Sequence, residues 1–397
     1  MLSQFEALPP DPILGLSAAY AEDKNPHKVD LGVGIYKDES GVSPVMDAVK
    51  KAEAIILRTE KSKAYLPPVG TPGFIGSSQR LLFGSNHPVL IDGRCKTQQT
   101  TGGCGALRVA AQLLVRGNAA VSIWVSNPTW ANHVPLLGDA GVTIREYPYY
   151  DYNTRSIDFE SMLSGLEAAQ AGDFVLLHGC CHNPSGADLT IGQWHRLAEF
   201  FGERGLIPFV DIAYQGLGDG LDEDAAGMRY LAANLPEMIV ASSCSKNFGL
   251  YRERTGTLSV IADTEAHAGN ALKQMLNVAR GIYSMPPSHG AAVVETILAD
   301  IELTENWATE LASMRQRING LRVDFAEKAL SSGVNQDFSH IAREKGMFSF
   351  LGITPEQVEC LKRDYGIYMV DSSRINVAGI NSTNLDYLVE SLAAVVA

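Results

Sequence analysis

The sequence predicts an α/β fold, a mostly parallel sheet between helices with a second, smaller α/β unit toward the C-terminus. Two observations carry this. Short apolar runs alternate with stretches whose apolar residues recur at helical spacing, the pattern of a parallel sheet covered on both faces. From about residue 298 the character changes to one long amphipathic stretch followed by short strand-like pieces.

Taken in order, CKTQQTTGG (95–103) reads as a strand leading into the helix ALRVAAQLLV, and VSIWVSNP (121–128) as a strand leading into a segment that ends at Gly138. Further strands are expected at 141–150, 173–180, 205–214, 237–246 and 255–262. Between them, LTIGQWHRLAEFFGERG (189–205) has apolar residues at helical spacing and ends on glycine, a helix-stop signal. The segment beginning IELTENWATEL reads as one extended helix, GMFSFLG and GIYMVDSSRINVAG as short strands, and the chain from about Asn384 as a final helix. The first forty or so residues lack a sheet unit of their own and could pack against this second unit.

With 397 residues, 46% of them apolar, the chain can bury a large core and form more than one domain. The net charge of −13 comes with no lysine- and arginine-rich run, which argues against nucleic-acid binding. MLSQFEALPPDPILGL has no basic start followed by a long apolar core, so it is a poor signal peptide. No apolar run reaches the roughly 18 to 20 residues a membrane-spanning helix needs. None of the six cysteines forms a CxxC pair, and adjacent Cys180 and Cys181 lack a zinc-like second pair. Free thiols in a cytoplasmic protein without a metal are expected.

Chemistry-bearing residues collect at strand ends, where open α/β sheets bind their ligands. Trp130 follows the strand 121–128, Asn183 lies in HNPSG after the strand 173–180, and Asp211 and Tyr214 close the strand 205–214. Ser243 and Lys246 close the strand 237–246, with Arg254 eight residues further on. GGCGALRVAAQLL (102–114) sets glycines before a helix start, a place where backbone N–H groups and the helix dipole favour an anion. No Lys-Ser/Thr follows, so it is not a nucleotide P-loop, and LGVGIYK (31–37) lacks the third glycine of a dinucleotide site. Asp211 is either salt-bridged within the core or faces a positive charge on a ligand, such as a protonated heteroaromatic nitrogen. Lys246 is either a snorkelling surface lysine or an amine that burial and a nearby cation make nucleophilic. A phosphate-grasping helix start, a carboxylate, a tyrosine, an arginine and a lysine together are what pyridoxal 5′-phosphate requires.

In these residues and in VDLGVGIYKDESG, YLPPVG, NPTWANH, HNPSGADLT, DIAYQG, SKNFGLYRERTG, RGIYSMPP, GMFSF and SRINVAG, the chain resembles the fold-type I, class I aminotransferases. The likeness is to the aspartate and aromatic amino acid subgroup, and runs from about DPILGL (11–16) to the C-terminus. It implies a seven-stranded, mostly parallel sheet in a large cofactor domain (44–313), a small domain (11–43 and 314–397), and an N-terminal arm (1–10). It also implies pyridoxal 5′-phosphate as the cofactor and a homodimer with shared sites.

By the same resemblance, Lys246 forms the Schiff base with the cofactor and shuttles the proton. Asp211 pairs with the pyridine nitrogen, while Tyr214 and Asn183 bond the phenolic oxygen. Trp130 stacks on the ring, and it and Asn183 border the substrate. His133 and His178 stand behind Asp211, although a satisfied core histidine is an equal reading of His178. Ser243 and Arg254, with the amides of Gly103 and Cys104, hold the phosphate, which Tyr65 of a neighbouring subunit also reaches. Arg374 forks onto the substrate α-carboxylate with Gly34 nearby, and Arg280, from the partner chain, binds a distal carboxylate.

The chain departs from the family pattern in three places. Cys104 stands where threonine or serine is usual, which weakens the side-chain bond to phosphate. Met285 and Ala64 make the expected side-chain pocket more apolar or roomier, which favours aromatic substrates besides dicarboxylates. The expected reaction is ping-pong transamination of tyrosine, phenylalanine and aspartate with 2-oxoglutarate. The alternatives are an aspartate-preferring enzyme and a lyase on the same fold. Arg252 receives no role.

Overall fold

The computed structural model describes residues 1–7 and 12–396. Residues 8–10 of the expected arm and Asp11, where the family likeness begins, lie outside them. The chain divides into two compact units, one of Pro44–Asn183 and Ala187–Gln316, the other of Met1–Ser43, Pro184–Gly186 and Arg317–Ala397.

The larger unit is built on a seven-stranded sheet: β1 (Cys95–Thr101), β2 (Ser122–Asn127), β3 (Thr143–Pro148), β4 (Phe174–His178), β5 (Ile207–Ile212), β6 (Met238–Ser243) and β7 (Thr255–Ile261). The spatial order is β1-β7-β6-β5-β4-β2-β3. β7 pairs antiparallel with both neighbours, and the other pairings are parallel. β6 and β7 are buried at every position, as strands covered on both faces must be. One core joins Val109, Ala110 and Ala111 of helix α1 (Gly102–Gly117) to Ile123, Phe209, Ala241 and Leu258 of the sheet.

Local signals set the helix ends. The helix Ile191–Arg204 starts on a capping box between Thr190 and Gln193 and stops at Gly205, φ 66°. The strand expected to run to residue 103 stops at Thr101 instead. Gly102, at φ 68°, turns the chain directly into α1, so the glycines open the helix and do not close the strand.

The smaller unit holds two short ladders. Val29–Asp30 pairs parallel with Ile367–Tyr368, and Phe348–Phe350 pairs antiparallel with Arg374–Asn376. Leu31, Phe325, Ile341, Leu361, Ile375 and Leu388 lie in its core. The residue division falls inside the single helix Ile301–Ser331. Among the described residues no helix is long and apolar enough to cross a membrane. All six cysteines are free thiols.

Candidate active site

Strand pairing assembles the site in the larger unit. Asp211 on β5 lies opposite His178 of β4 and Ala241 of β6, and Ser243 at the end of β6 lies opposite Gly256 of β7. Because β7 runs backwards, its first residues share an edge with the C-terminal ends of β1, β5 and β6. Arg254 is thereby delivered beside Ser243 and the start of α1. The approach is close: a Cβ on Gly256 would meet Gly102 C at 2.7 Å, and one on Gly102 would meet Arg254 Nη2 at 3.0 Å. Arg254 itself sits in the left-handed region, φ 51°, an unfavourable conformation for a side chain this large. A helix start, a hydroxyl and a guanidinium thus face one place, an arrangement suited to a phosphate.

Lys246 lies three residues beyond β6 in a turn held from behind. Trp307 Nε1 donates to the Asn247 carbonyl at 2.7 Å, and the Phe248 and Trp307 rings stack at 4.4 Å. The Cys244 N–H donates to the Thr255 carbonyl at 3.0 Å, closing the turn onto β7. Lys246 Nζ stands 5.2 Å from the centre of the Tyr214 ring. Burial holds the ammonium below the usual lysine range, the Asp211 carboxylate opposes that shift, and Arg254 reinforces it. Burial also pushes the Cys104 thiol up, which keeps it protonated at neutral pH despite Arg254.

Behind Asp211 the polar contacts form one connected chain. His133 Nε2 donates to Asp211 Oδ2 at 3.0 Å, since a carboxylate can only accept. Thr129 Oγ1 is in hydrogen-bond contact with His133 Nδ1 at 2.8 Å and with His178 Nε2 at 3.2 Å. Burial, aided by His133, drives the His178 pKa down to about 3, so this ring is neutral and free to donate. Trp130 meets the His133 ring edge-on at 5.2 Å. His182 packs 4.1 Å from His178, stacks on Tyr149 at 4.2 Å, and bonds Ser126 at 3.1 Å.

His178 is thereby linked to Asp211 through Thr129 and His133. Thr129 and His182 were overlooked in the sequence although both lie within the motifs NPTWANH and HNPSG. Only the tertiary fold reveals that a threonine bridges two histidines. Replacing Thr129 with valine keeps the shape and removes the hydroxyl that bridges His133 and His178. This is expected to lower kcat/KM by roughly fivefold, about 1 kcal/mol, in steady-state assays. An unchanged value would show that His133 holds Asp211 without it.

The smaller unit carries Arg374, buried at 6% exposure. Its Nη2 donates to the Gly32 carbonyl at 2.6 Å, and its guanidinium lies over the Phe348 ring at 4.6 Å. Gly34 packs on the same ring, where a Cβ would meet Phe348 Cζ at 2.8 Å. Tyr65, at 90% exposure, and exposed Arg280, which donates to Ser284 Oγ at 3.4 Å, stand at the surface of the larger unit. Met285 is half-buried, and Ala64 and Arg252 are exposed. Cys180, Cys181 and Asp224 bring possible metal ligands within 4.8 Å of one another. The Asp224 carboxylate there accepts from the backbone amides of Gly216, Gly218, Asp219 and Gly220, which marks it as a loop clasp.

Residues 26–392 match the family model for aminotransferase class I and II. The chain belongs to that family. The aminotransferase is 47% identical over 395 residues to an aspartate aminotransferase of Escherichia coli (strain K12), covering 100% of each chain. It is 43% identical over 390 residues to an aromatic-amino-acid aminotransferase of Pseudomonas aeruginosa, covering 98% of each. Among solved structures, it is similar to the aromatic-amino-acid aminotransferase from Burkholderia pseudomallei covalently bound to pyridoxal phosphate. That match has a TM-score of 0.98 at 42% identity, with both chains fully covered.

Proposed function

We propose that the chain is a pyridoxal 5′-phosphate-dependent aminotransferase. It takes aromatic amino acids, and dicarboxylic ones with them, and uses 2-oxoglutarate as the amino acceptor. The observation that carries this reading is the half-buried Lys246 amine in the turn after β6, 5.2 Å from the Tyr214 ring centre.

The residues present fit the cofactor. Ser243, Arg254 and the first amides of α1, at Gly103 and Cys104, would hold the phosphate. Asp211 would face the ring nitrogen, and Trp130 the ring. Asn183 Oδ1 is buried with no hydrogen-bond partner among the described residues, as expected of an amide that serves a ligand, and with Tyr214 it would bond the phenolic oxygen. When bound, the cofactor supplies an aldehyde that condenses with amines and a protonated ring that accepts electrons from the Cα–H bond.

The chain's own residues do the rest. Asp211 would set its carboxylate against the ring nitrogen, and His133 fixes the direction of that carboxylate. Lys246 Nζ, held below its usual pKa, takes the Cα proton from the amino donor and returns a proton in the second half of the cycle. Arg374 forks onto the α-carboxylate. The exposure of Tyr65 and Arg280 supports a homodimer in which each serves the partner's site, Arg280 binding the distal carboxylate of aspartate, glutamate and 2-oxoglutarate. Apolar Met285 and small Ala64 support the aromatic preference.

Incubation with phenylalanine and 2-oxoglutarate is expected to yield glutamate, whereas release of ammonia or carbon dioxide in its place would indicate a lyase. The 47% identity to an aspartate aminotransferase favours a second reading, an aspartate-preferring enzyme. Measuring kcat/KM for aspartate and phenylalanine side by side decides it. In the Arg280→Leu enzyme, kcat/KM for aspartate is expected to fall by about 100-fold or more, the cost of losing a bidentate charged contact. Phenylalanine, with no distal carboxylate, should change by less than about threefold. Equal losses would mean that Arg280 is structural.

A further inference from the structure

Arg322 of the smaller unit is buried at 1% exposure, and no step of the proposed reaction uses it. It lies on the helix Ile301–Ser331. All three of its nitrogens donate to one short segment, residues 341–349. Nε donates to the Gly346 carbonyl at 3.0 Å, and Nη1 to the Ile341 carbonyl at 3.0 Å and to Ser349 Oγ at 3.3 Å. Nη2 donates to the carbonyls of Lys345 at 3.0 Å, Gly346 at 2.7 Å and Phe348 at 2.5 Å. The charge is balanced by Glu344, 3.7 Å away and also buried, and the Ser349 hydroxyl donates to that carboxylate.

A buried ion pair is weak evidence of stability, because apolar residues of the same volume would often stabilise as well. What such a pair supplies is a fixed geometry. Here the geometry belongs to the strand Phe348–Phe350, whose pairing with Arg374–Asn376 spans only three residue pairs. A two-stranded ladder that short is marginal without outside support. Arg322 supports it from the Phe348 carbonyl and the Ser349 hydroxyl. The Phe348 ring in turn lies under the Arg374 guanidinium and against Gly34.

We propose that Arg322, paired with Glu344, is a positioning residue that sets the substrate-carboxylate clamp by fixing Phe348 beneath Arg374. This rests on the reading of Arg374 as the α-carboxylate ligand. It differs from a general role in folding by its selectivity. The clamp acts only on ligands that carry a carboxylate, and the residues assigned to the cofactor, Lys246, Asp211 and Arg254, belong to the larger unit.

The test uses the cofactor-loaded enzyme and 3-phenylpropionate, a carboxylate with no amino group, titrated by the change in cofactor absorbance. Arg322→Lys keeps the charge but has three donors where arginine has five. It is expected to weaken 3-phenylpropionate at least about tenfold and to raise KM for phenylalanine in parallel, since small misplacements of a binding group are costly. The dissociation constant of the cofactor and the slow half-reaction with phenethylamine, which has no carboxylate, should stay within about twofold. Ser349→Ala removes the hydroxyl that accepts from Arg322 and donates to Glu344, and leaves both charges in place. It is expected to weaken the probe by about threefold, near the value of one hydrogen bond, and serves if the lysine variant fails to fold.

Unchanged probe affinity in a folded variant overturns the proposal, and so does an equal loss for phenethylamine or for the cofactor. Arg374→Lys is measured alongside. If it weakens the probe while the Arg322 and Ser349 variants do not, the clamp reading stands and the positioning role falls. If Arg374→Lys leaves the probe unaffected, the clamp reading itself falls and takes this proposal with it.

Discussion

Replacing Lys246 with alanine is expected to lower kcat for phenylalanine and 2-oxoglutarate by at least about 10⁴-fold, the upper range for a single proton-transferring side chain. The loss should be larger than for any other single substitution in the site, because one amine serves both as nucleophile and as base. Borohydride treatment should attach the cofactor irreversibly to the native chain and not to the variant, which separates loss of the amine from loss of binding. A variant that turned over at the native rate would end the assignment.

The same side chain gives a pH dependence in the cofactor-free protein. Burial lowers the Lys246 pKa in the folded state, so between that lowered value and the ordinary lysine value the unfolded chain holds more protons than the folded one. Stability must then rise with pH across that window, the cost of the buried ammonium being fully present below the folded-state pKa and relieved as the amine becomes neutral. Thermal melts of the apoenzyme should show this rise, and a Lys246→Met apoenzyme should lose it. Identical slopes would mean that the amine is well solvated.

Asp211→Asn is expected to reduce kcat by about 10³-fold, the scale found when a preorganised electrostatic group is removed from a reaction centre. The amide keeps the size of the side chain and its seat near His133 Nε2 but carries no charge to hold a ring nitrogen protonated. Cofactor affinity should fall far less than the rate. The kinetic isotope effect with α-deuterated phenylalanine should grow as proton removal becomes more fully rate-limiting. A variant with native kcat would assign Asp211 to the His133 contact alone.

Much of this site was legible before the fold was known, for a local reason. Apolar runs such as LIPFVD and MIVASS stop abruptly on polar residues, and a strand end is the one place where a buried segment can present chemistry. Lys246, Asp211 and Ser243 each followed from that signal, and the glycines 102 and 103 from their position before a helix. Thr129, His182 and Arg322 did not. A threonine beside a tryptophan and an arginine in a long amphipathic helix carry no local mark of their partners.

What the sequence by itself determined was therefore the inventory: which segments are strands, where they end, and which side chains stand at those ends. Burial periodicity and turn residues act over a few positions, so they can be read one segment at a time. The tertiary structure alone decided the company these residues keep. The reversed β7 brings Arg254 to Ser243 and Gly102, β4 and β5 align His178 with Asp211, and the Phe348 ladder lies over the Arg322 guanidinium. These neighbours are set by strand order and by packing across long stretches of chain, for which no short-range pattern exists.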